Sequence, residues 1–305
     1  MADIESNNKP EGAIYLVVNK NAGGAQPNLE LIEQTSQQWQ QEGHNVTLHI
    51  LEPGAIDQCV KEIAKQTPAV VVVGGGDGTI RRCAELLRNS GHSLGILPVG
   101  TANLLARSLD VPLDIAEALR VVIKGKDLEI DAVEMNGQLF FNVCSVGLYP
   151  ALTRKREQRR KSHLHWPKFI RWIVDTSMSG FEVMQSWRHV RFKITIDGQV
   201  QSGKVISFAL ANNDKLPLFE KTQLDSGEIV IYLPKPTNRL EFFVLMLRTI
   251  IFNPKEIALL EVQRSKEVTI EIPADTPMTL DGESVAVNGK LVFKSLPGCY
   301  RFRTP

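Results

Sequence analysis

Three glycine-rich loops carry the residues best suited to chemistry. The sequence contains the stretch VVVGGGDGT, in which a continuous apolar run leads into Gly74–Thr79, and IRRCAELLRN follows with helical spacing. Glycines let backbone N–H groups approach a phosphate closely, and the start of a helix adds positive potential. Asp77 adds a carboxylate that can serve Mg2+ or phosphate geometry. For this loop alone, a tight strand-to-helix turn is the alternative interpretation.

The other two loops follow neighbouring apolar runs in the same way. NKNAGG (Asn19–Gly24) follows the run Ala13–Asn19, and PVGTANLLAR (98–107) follows Leu94–Leu97. Ligands of open α/β sheets bind beyond the carboxyl ends of the strands, so the three loops together predict one polyphosphate cradle. The Walker A pattern and the Rossmann G-x-G-x-x-G pattern are both absent from the sequence.

The elements that must position these loops alternate between strands and helices. Helical spacing predicts helices at Leu29–Gln41 and Ile56–Lys65, and apolar runs predict strands at Val46–Leu51 and Ala69–Val73. This alternation indicates an N-terminal α/β lobe with a mostly parallel sheet.

The pattern changes after about Ile130. Residues 131–146 predict a hairpin around Asn136-Gly137, 150–187 are helical in pattern, and short strands recur from Arg191 onward. These strands are typical of an antiparallel β-sandwich or barrel. We therefore expect an α/β plus all-β chain, with one domain at 1–130 that is rejoined by 296–305 and a second domain at 131–295.

Composition excludes several classes of protein. The 305 residues include 35 Lys plus Arg and 34 Asp plus Glu, a net charge of +1 that argues against a globally basic nucleic-acid binder. The four cysteines form no C-x-x-C pair, which excludes a disulfide framework or a cysteine zinc site and suits a reducing cytoplasm. No apolar run reaches the ~18 residues that span a bilayer.

One segment departs from this neutral balance. Residues Arg154–Arg171 carry eight cations against one acid, with Leu164, Trp166 and Phe169 interleaved. Such a segment favours peripheral contact with an anionic membrane. The alternatives are a solvated helix whose aromatic side chains pack on the core, and a nucleic-acid patch. We expect no nucleic acid as a partner.

The loops NKNAGG, GGGDGT and PVGTANLLAR resemble the nucleotide-binding signatures of the diacylglycerol kinase catalytic family, which includes sphingosine and ceramide kinases and bacterial lipid kinases. The resemblance continues through FNVCSVG (141–147) to Leu280-Asp281-Gly282-Glu283, and it covers roughly residues 13–303. The GGDGT sequence alone is shared with NAD kinases. The three loops followed by a late D-G-E are a much more specific combination.

The resemblance implies a lipid kinase of phospholipid biosynthesis that is cytoplasmic and peripherally membrane-associated, with ATP and Mg2+ as cofactors. In this family the N-terminal α/β nucleotide-binding lobe holds ATP, and a C-terminal antiparallel β-sandwich lobe binds the lipid substrate. It implies Asp281 as the general base, with Glu283 beside it and Asp77 as a further catalytic residue. The implied nucleotide contacts are Asn19, Asn21, Gly23, Gly24, Gly75, Gly76, Asp77, Gly78, Thr79, Gly100, Thr101 and Asn103. Taken without the resemblance, Asp281-Gly282 favours the plain turn of a hairpin over a catalytic residue.

Two departures from the family pattern stand out. Arg81-Arg82 replace the usual Asn-Glu and either clasp phosphates or form an exposed face. The run that matches a second, structural Mg2+ site contains Gln223, Ser226 and Glu228, with Ser226 in place of a carboxylate. These departures keep a catalytically inactive nucleotide-binding regulator as an alternative, and the shared GGDG keeps an NAD kinase-like enzyme as another. The sequence leaves the lipid and the oligomeric state open.

Overall fold

The computed structural model describes residues 12–148, 150–151, 189–212, 225–235, 260–287 and 289–305. Contacts divide them into two units. The first contains 12–132, 225–226 and 296–305, and the second contains the remainder. The sequence-based domain boundaries assign a function to each lobe, and that assignment stays a prediction.

The first unit is built on a parallel sheet. Its strands are β1 (Ile14–Asn19), β2 (Val46–Leu51), β3 (Val70–Gly75) and β4 (Ser93–Pro98). They lie in the order β2-β1-β3-β4, and the C-terminal part of β16 (Lys290–Thr304) adds a parallel neighbour beside β4. Both β3 and β4 are buried along their whole length, which explains their continuous apolar runs. The predicted mostly parallel sheet is confirmed.

Five α-helices connect the strands among the described residues of this unit. They are α1 (Leu29–Gln41), α2 (Pro53–Ile63), α3 (Asp77–Leu86), α4 (Leu104–Ser108) and α5 (Ile115–Lys124). Helix α1 has its predicted bounds. Helix α2 begins three residues earlier than predicted, because Pro53 has the fixed φ that suits a first helical turn. Helix α3 begins inside the second glycine loop, so that Asp77, Gly78 and Thr79 form its first turn.

The second unit is antiparallel. Its strands are β5 (Lys126–Met135, which begins in the first unit), β6 (Gln138–Phe140), β7 (Val143–Gly147), β8 (Val190–Ile196), β9 (Gln199–Val205), β10 (Ser207–Ala211), β11 (Ile229–Pro234), β12 (Leu260–Ser265), β13 (Glu267–Glu271), β14 (Met278–Leu280), β15 (Glu283–Val285) and the N-terminal part of β16. One sheet has the order β12-β11-β10-β7-β14-β15, and the other contains β16-β13-β8-β9.

One apolar core joins the two sheets of the second unit. It contains Ile194 and Phe293 from one sheet and Leu210 and Leu280 from the other, all fully buried. The rings of Phe192 and Phe208 also meet across the sheets, at 6.1 Å between centroids. The predicted antiparallel lobe is therefore confirmed. Of the two predicted alternatives, a sandwich or a barrel, the packing of two sheets on one core corresponds to the sandwich.

Two segments predicted as continuous strands change sheet instead. The second arm of the 131–146 hairpin ends at Phe140 and resumes in the other sheet as β7. The backbone N–H groups of Phe141 and Asn142 bind a carboxylate from elsewhere in the chain in place of a strand partner. The run 199–212 divides at Ile206, with β9 in one sheet and β10 in the other. Alternating apolar residues predict extended backbone but do not reveal a corner between sheets.

No helix among the described residues is both long and apolar enough to cross a membrane. The segment 154–171, with its predicted membrane contact, lies outside the described residues.

Candidate functional site

The three glycine loops meet at the carboxyl ends of β1, β3 and β4. One hydrogen bond joins each pair of loops: Asn19 Nδ2 donates to Thr79 Oγ1 (3.4 Å), the Gly24 N–H to the Val99 carbonyl (2.8 Å), and the Leu105 N–H to Asp77 Oδ1 (3.1 Å). The structure therefore brings together the loops to which the sequence assigned nucleotide binding.

Close backbone packing explains three of the glycines. A Cβ at Gly100 would lie 2.4 Å from the Cα of Gly76, and one at Gly24 would lie 3.1 Å from the Val99 carbonyl oxygen. At Gly75 it would lie 2.6 Å from the Thr79 Cβ. Real Cβ atoms do not come within 3.0 Å of other atoms, so a side chain at Gly100 would push the second and third loops apart, and one at Gly75 would displace the Thr79 side chain of its own loop. The contact at Gly24 is tight, and the third loop would have to shift slightly to admit a Cβ there.

Gly23 and Gly76 have no such packing requirement. A Cβ at Gly23 would meet nothing within 4 Å, and one at Gly76 would make an ordinary 3.6 Å contact with Gly100. The φ of Gly76 is −85°, which any residue adopts. The backbone at Gly23 is exposed and borders open space that a side chain would fill, whereas Gly76 is half-buried beside Gly100. Such a surface suits a ligand that approaches the main chain directly.

The start of helix α3 adds donors to this surface. The first intrahelical bond runs from the Ile80 N–H to the Gly76 carbonyl at 3.0 Å. The N–H groups of residues 77–79 precede it, and a helix cannot satisfy these groups internally. Together with the helix dipole they favour an anion at this end of α3.

Asp77 lies among these donors with a perturbed pKa. Burial raises the pKa of its carboxyl above the ordinary value of 3.8, and backbone N–H groups, Leu105 first among them, oppose that shift. Burial disfavours the charged carboxylate, so a cation at this point would be stabilised by it and would stabilise it in return. Asp77 also ties the second loop to the third through Leu105.

The side chains of Asn103 and Asn21 bind other groups of the protein. Asn103 is buried with a positive φ of 51°. Its Oδ1 accepts the Gly100 N–H at 3.0 Å and its Nδ2 donates to the Pro98 carbonyl at 2.9 Å, so its side chain shapes the third loop. Asn21 Nδ2 donates to Glu52 Oε2 at 2.6 Å. Thr101 is exposed on the third loop.

Sequence reasoning missed Glu52, which lies just before α2. It binds Asn21 and also forms an ion pair with Lys20 at 2.5 Å, so it holds two of the three polar side chains of the first loop. Both partners lower the pKa of the Glu52 carboxyl, Lys20 most strongly. No local pattern signals this contact, because the partners lie about thirty residues apart in the chain.

The structure separates the two interpretations of Arg82. Its guanidinium forms ion pairs with Asp57 on α2 at 2.7 Å and with Glu85 on α3 at 3.2 Å, and it is about half exposed. Because two acids already engage this cation, its geometry fits the exposed-face interpretation better than a phosphate clasp.

In the second unit, Asp281 forms the turn between β14 and β15. Asp281 and Gly282 have φ values of 48° and 87°, as a two-residue hairpin turn requires. The Asp281 side chain also binds backbone groups outside the turn. Asp281 Oδ2 accepts the Phe141 N–H at 2.8 Å, and Oδ1 accepts the N–H groups of Asn142 and Val143 at 2.9 Å each.

Asp281 is only 5% exposed, so its carboxylate depends on these donors. Bonds from N–H groups stabilise the charged form of a carboxylate and fix its orientation. Glu283, two residues on, is exposed at the start of β15, opposite Leu280 in the strand register.

Two buried asparagines beside Asp281 were not among the sequence-based candidates. Asn142 and Asn212 are both 0% exposed. Asn212 Nδ2 donates to the Phe141 carbonyl at 3.1 Å, and the Asn212 N–H donates to the Asn142 carbonyl at 3.0 Å. The only sequence signal was indirect, since Asn142 lies within the FNVCSVG segment.

The predicted second metal site is only partly visible. Gln223 lies outside the described residues, while Ser226 is exposed and Glu228 half-buried shortly before β11. In the part of the chain that the structure describes, no cluster of three or more His, Cys, Asp or Glu residues could hold a metal ion.

Comparison with known proteins agrees with these features. Residues 13–135 match the family model described as the diacylglycerol kinase catalytic domain. A diacylglycerol kinase of Bacillus subtilis (strain 168) is 28% identical over 263 residues, which are 83% of this chain and 84% of that protein. One of Staphylococcus carnosus (strain TM300) is 26% identical over 233 residues, 73% of this chain and 72% of that protein.

A solved structure shares the fold. The crystal structure of a diacylglycerol kinase from Bacillus anthracis str. Sterne has a TM-score of 0.70 and 21% identity, and the match covers 97% of this chain and 98% of that chain. The fold class expected from the sequence and the family resemblance are both confirmed.

Proposed function

We propose that this chain, whose residues 13–135 belong to the diacylglycerol kinase catalytic domain family, is a lipid kinase that transfers the γ-phosphoryl group of ATP to a lipid hydroxyl. The observation that carries the proposal is the meeting of three glycine loops beside the open backbone at Gly23 and the start of α3. The names of the curated relatives suggest diacylglycerol or a related lipid as the acceptor.

In this proposal the cradle binds the phosphates of ATP. The N–H groups at the start of α3 and the uncovered main chain at Gly23 are the donors that a polyphosphate needs. Asn19 and Thr79 lie at the junction of the first two loops, and Thr101 is exposed on the third. Asn103 and Gly100 act on the nucleotide indirectly, by holding the third loop in shape.

Asp77 is the residue that would hold Mg2+ at the cradle. Mg2+ on nucleotides keeps several waters and needs only one or two carboxylates beside the phosphates, so one acid fits the ion. When bound, Mg2+ offsets the negative charge of the transferring phosphoryl group. A structural Mg2+ at Gln223, Ser226 and Glu228 stays a prediction.

We assign the general-base role to Asp281, with Glu283 beside it. A lipid hydroxyl is a weak nucleophile, and a positioned carboxylate that takes its proton contributes roughly 10²–10⁴ in rate. Three backbone N–H groups hold the Asp281 carboxylate in one orientation, which favours this role. Transfer is direct, without a covalent intermediate on the protein, and positioning supplies most of the remaining rate.

The two units divide the work in this proposal. The first binds ATP and the second supplies Asp281 and the lipid site, in line with the predicted domains 1–130 with 296–305 and 131–295. Residues 154–171 would bring the kinase to an anionic membrane from the cytoplasm.

Radiolabelled ATP offered with separate acceptors tests the proposal. The panel contains diacylglycerol, a sphingoid base, ceramide, a polyprenol and NAD, and Asp281→Asn is the matched variant. We expect label in one lipid and a large loss of that label in the variant. Label in NAD alone would favour an NAD kinase-like enzyme. Binding of ATP without label in any acceptor would favour a regulator, and either result would overturn the proposal.

A further inference from the structure

The segment Phe141–Val143, between β6 and β7, has an unusual set of backbone partners. Its three N–H groups all donate to the Asp281 carboxylate, at 2.8 to 2.9 Å. Its three carbonyls accept from two residues of the described part of the chain: Asn212 Nδ2 binds the Phe141 carbonyl, the Asn212 N–H binds that of Asn142, and the Asp281 N–H binds that of Val143. Asp281 and Asn212 thus provide a partner for every backbone polar group of the segment.

Strand order explains why these two residues flank the segment. Strand β7 lies between β10 and β14, with Val143 opposite Ala211 and Cys144 opposite Leu280. Asn212 is the first residue after β10, and Asp281 is the first after β14. Both therefore lie beside the start of β7, where the 141–143 segment enters the sheet.

The geometry of the peptide bond connects the two residues mechanically. The carbonyl of Phe141 and the N–H of Asn142 belong to one planar unit and point in opposite directions. Asn212 Nδ2 holds the carbonyl side of this plane, while the N–H side points to Asp281 Oδ1. The next plane repeats the arrangement, with the Asn212 N–H on one side and Asp281 Oδ1 on the other.

We propose that Asn212 is a positioning residue for phosphoryl transfer: it fixes the two peptide planes whose N–H groups orient the Asp281 carboxylate. The proposal rests on the base role given to Asp281 above. Loss of the Asn212 carboxamide would free one plane to rotate, so that one donor to Asp281 would no longer have a fixed direction. Misplacement of a catalytic group by about 1 Å can cost as much as 10² in rate.

A double-mutant cycle tests whether Asn212 acts through Asp281. The variants are Asn212→Ala, Asp281→Asn and the double substitution, assayed with a short-chain diacylglycerol in detergent micelles at saturating ATP. Asn136→Ala is the matched control, because Asn136 also binds two backbone groups in the second unit, the Lys290 carbonyl at 3.0 Å and the Val292 N–H at 2.9 Å. Those groups belong to β16 rather than to the 141–143 segment.

We expect Asn212→Ala to lower kcat by about 10- to 100-fold while KM for ATP changes less than about twofold. The double variant should lose no more kcat than Asp281→Asn alone, because both changes act on one carboxylate. Asn136→Ala should lower Tm but keep kcat within about twofold of wild type. The proposal would be overturned if the fold-losses in kcat of the two single variants multiply in the double variant, because the two residues would then act independently. A folded Asn212→Ala enzyme with normal kcat would also overturn it.

A second measurement does not depend on activity. Hydrogen exchange of peptides that cover 141–143 should be faster in Asn212→Ala and in Asp281→Asn than in wild type, and unchanged in Asn136→Ala. If Asn212→Ala does not fold, Asn212→Ser takes its place in both assays. Unchanged exchange in the folded variant would overturn the positioning role even if the chain proves to be no kinase. Normal kcat in Asp281→Asn would instead remove the base assignment and the positioning role that rests on it.

Discussion

The two candidate sites use backbone N–H groups in opposite ways. In the first unit, the main chain at Gly23 borders open space, and the start of α3 offers further donors. In the second unit, three N–H groups converge on the carboxylate of the protein's own Asp281. The first arrangement suits an anion that arrives from solution, whereas the second orients an anion that belongs to the fold.

The carboxylates of the two sites, Asp77 and Asp281, differ in how well the protein stabilises their charge. Burial raises the pKa of Asp77, so its charge is poorly stabilised by the protein alone. The charge of Asp281 is stabilised by three donors. Asp77 is therefore suited to a bound cation, and Asp281 to a fixed orientation.

Gly100→Ala should abolish the cradle. The added Cβ would lie 2.4 Å from the Gly76 Cα and 2.7 Å from Asn103 Oδ1, so the second and third loops could not keep their contact. We expect MgATP affinity to fall by at least about 100-fold and Tm to fall, measured by calorimetry. Gly54→Ala is the control, because a Cβ there meets nothing within 4 Å. Normal affinity in Gly100→Ala would show that the loop contact is not needed.

Asp281→Asn should destabilise the second unit as well as lower kcat by at least about 10². The NH2 group of the introduced asparagine cannot accept hydrogen bonds from the backbone N–H groups that one Asp281 oxygen binds. We therefore expect the free energy of unfolding to fall by about 2–4 kcal/mol. Asp197→Asn is the matched control, since Asp197 also begins a two-residue Asp-Gly turn but accepts only the Ser265 hydroxyl among the bonds described. Equal denaturation midpoints for both variants would contradict the three-donor account.

Asp77→Asn should change how stability depends on pH. Because the folded pKa of Asp77 is raised above 3.8, the folded chain binds more protons than the unfolded chain between the two values. Stability without nucleotide therefore falls as pH rises through that window. Denaturation of wild type and variant between about pH 4 and pH 7 should show this fall only in wild type. MgATP affinity should fall in the variant at neutral pH, and identical pH curves would contradict the assigned shift.

Reversal of Arg156, Arg159 and Arg160 to Glu should act on the membrane alone. We expect less co-sedimentation with anionic vesicles, more so at low salt, because such attraction is screened over about 8–10 Å at physiological ionic strength. Activity on a short-chain, water-soluble acceptor should be spared. Equal loss on soluble and vesicle-borne substrates would show that the segment serves the fold instead.

The sequence predicted the elements whose causes are local. The apolar run of β3 ends in glycines that the structure uses at the loop contacts, and α1 has its predicted bounds. The loops could be assigned to one edge because parallel strands place their carboxyl ends together.

The features that were missed depend on contacts between distant residues. QLFFNVCSV alternates like one strand, and only the Asp281 carboxylate, about 140 residues later, explains its break at Phe141. Glu52 and Asn212 have no local signal because their partners are fixed by strand order. Asp281-Gly282 was interpreted as either a turn or a functional residue, and the structure shows a turn whose side chain also holds another segment.

The affinity of Gly23→Ala for MgATP tests directly whether the phosphates of ATP bind where the three glycine loops meet. A methyl group at Gly23 meets no protein atom within 4 Å, so it should leave Tm unchanged and interfere only with a ligand that approaches the main chain. Titration calorimetry should show binding weaker by about tenfold or more, which corresponds to about 1.4 kcal/mol. Unchanged affinity at unchanged Tm would contradict the account, because the open backbone at Gly23 would then not be where the phosphates bind.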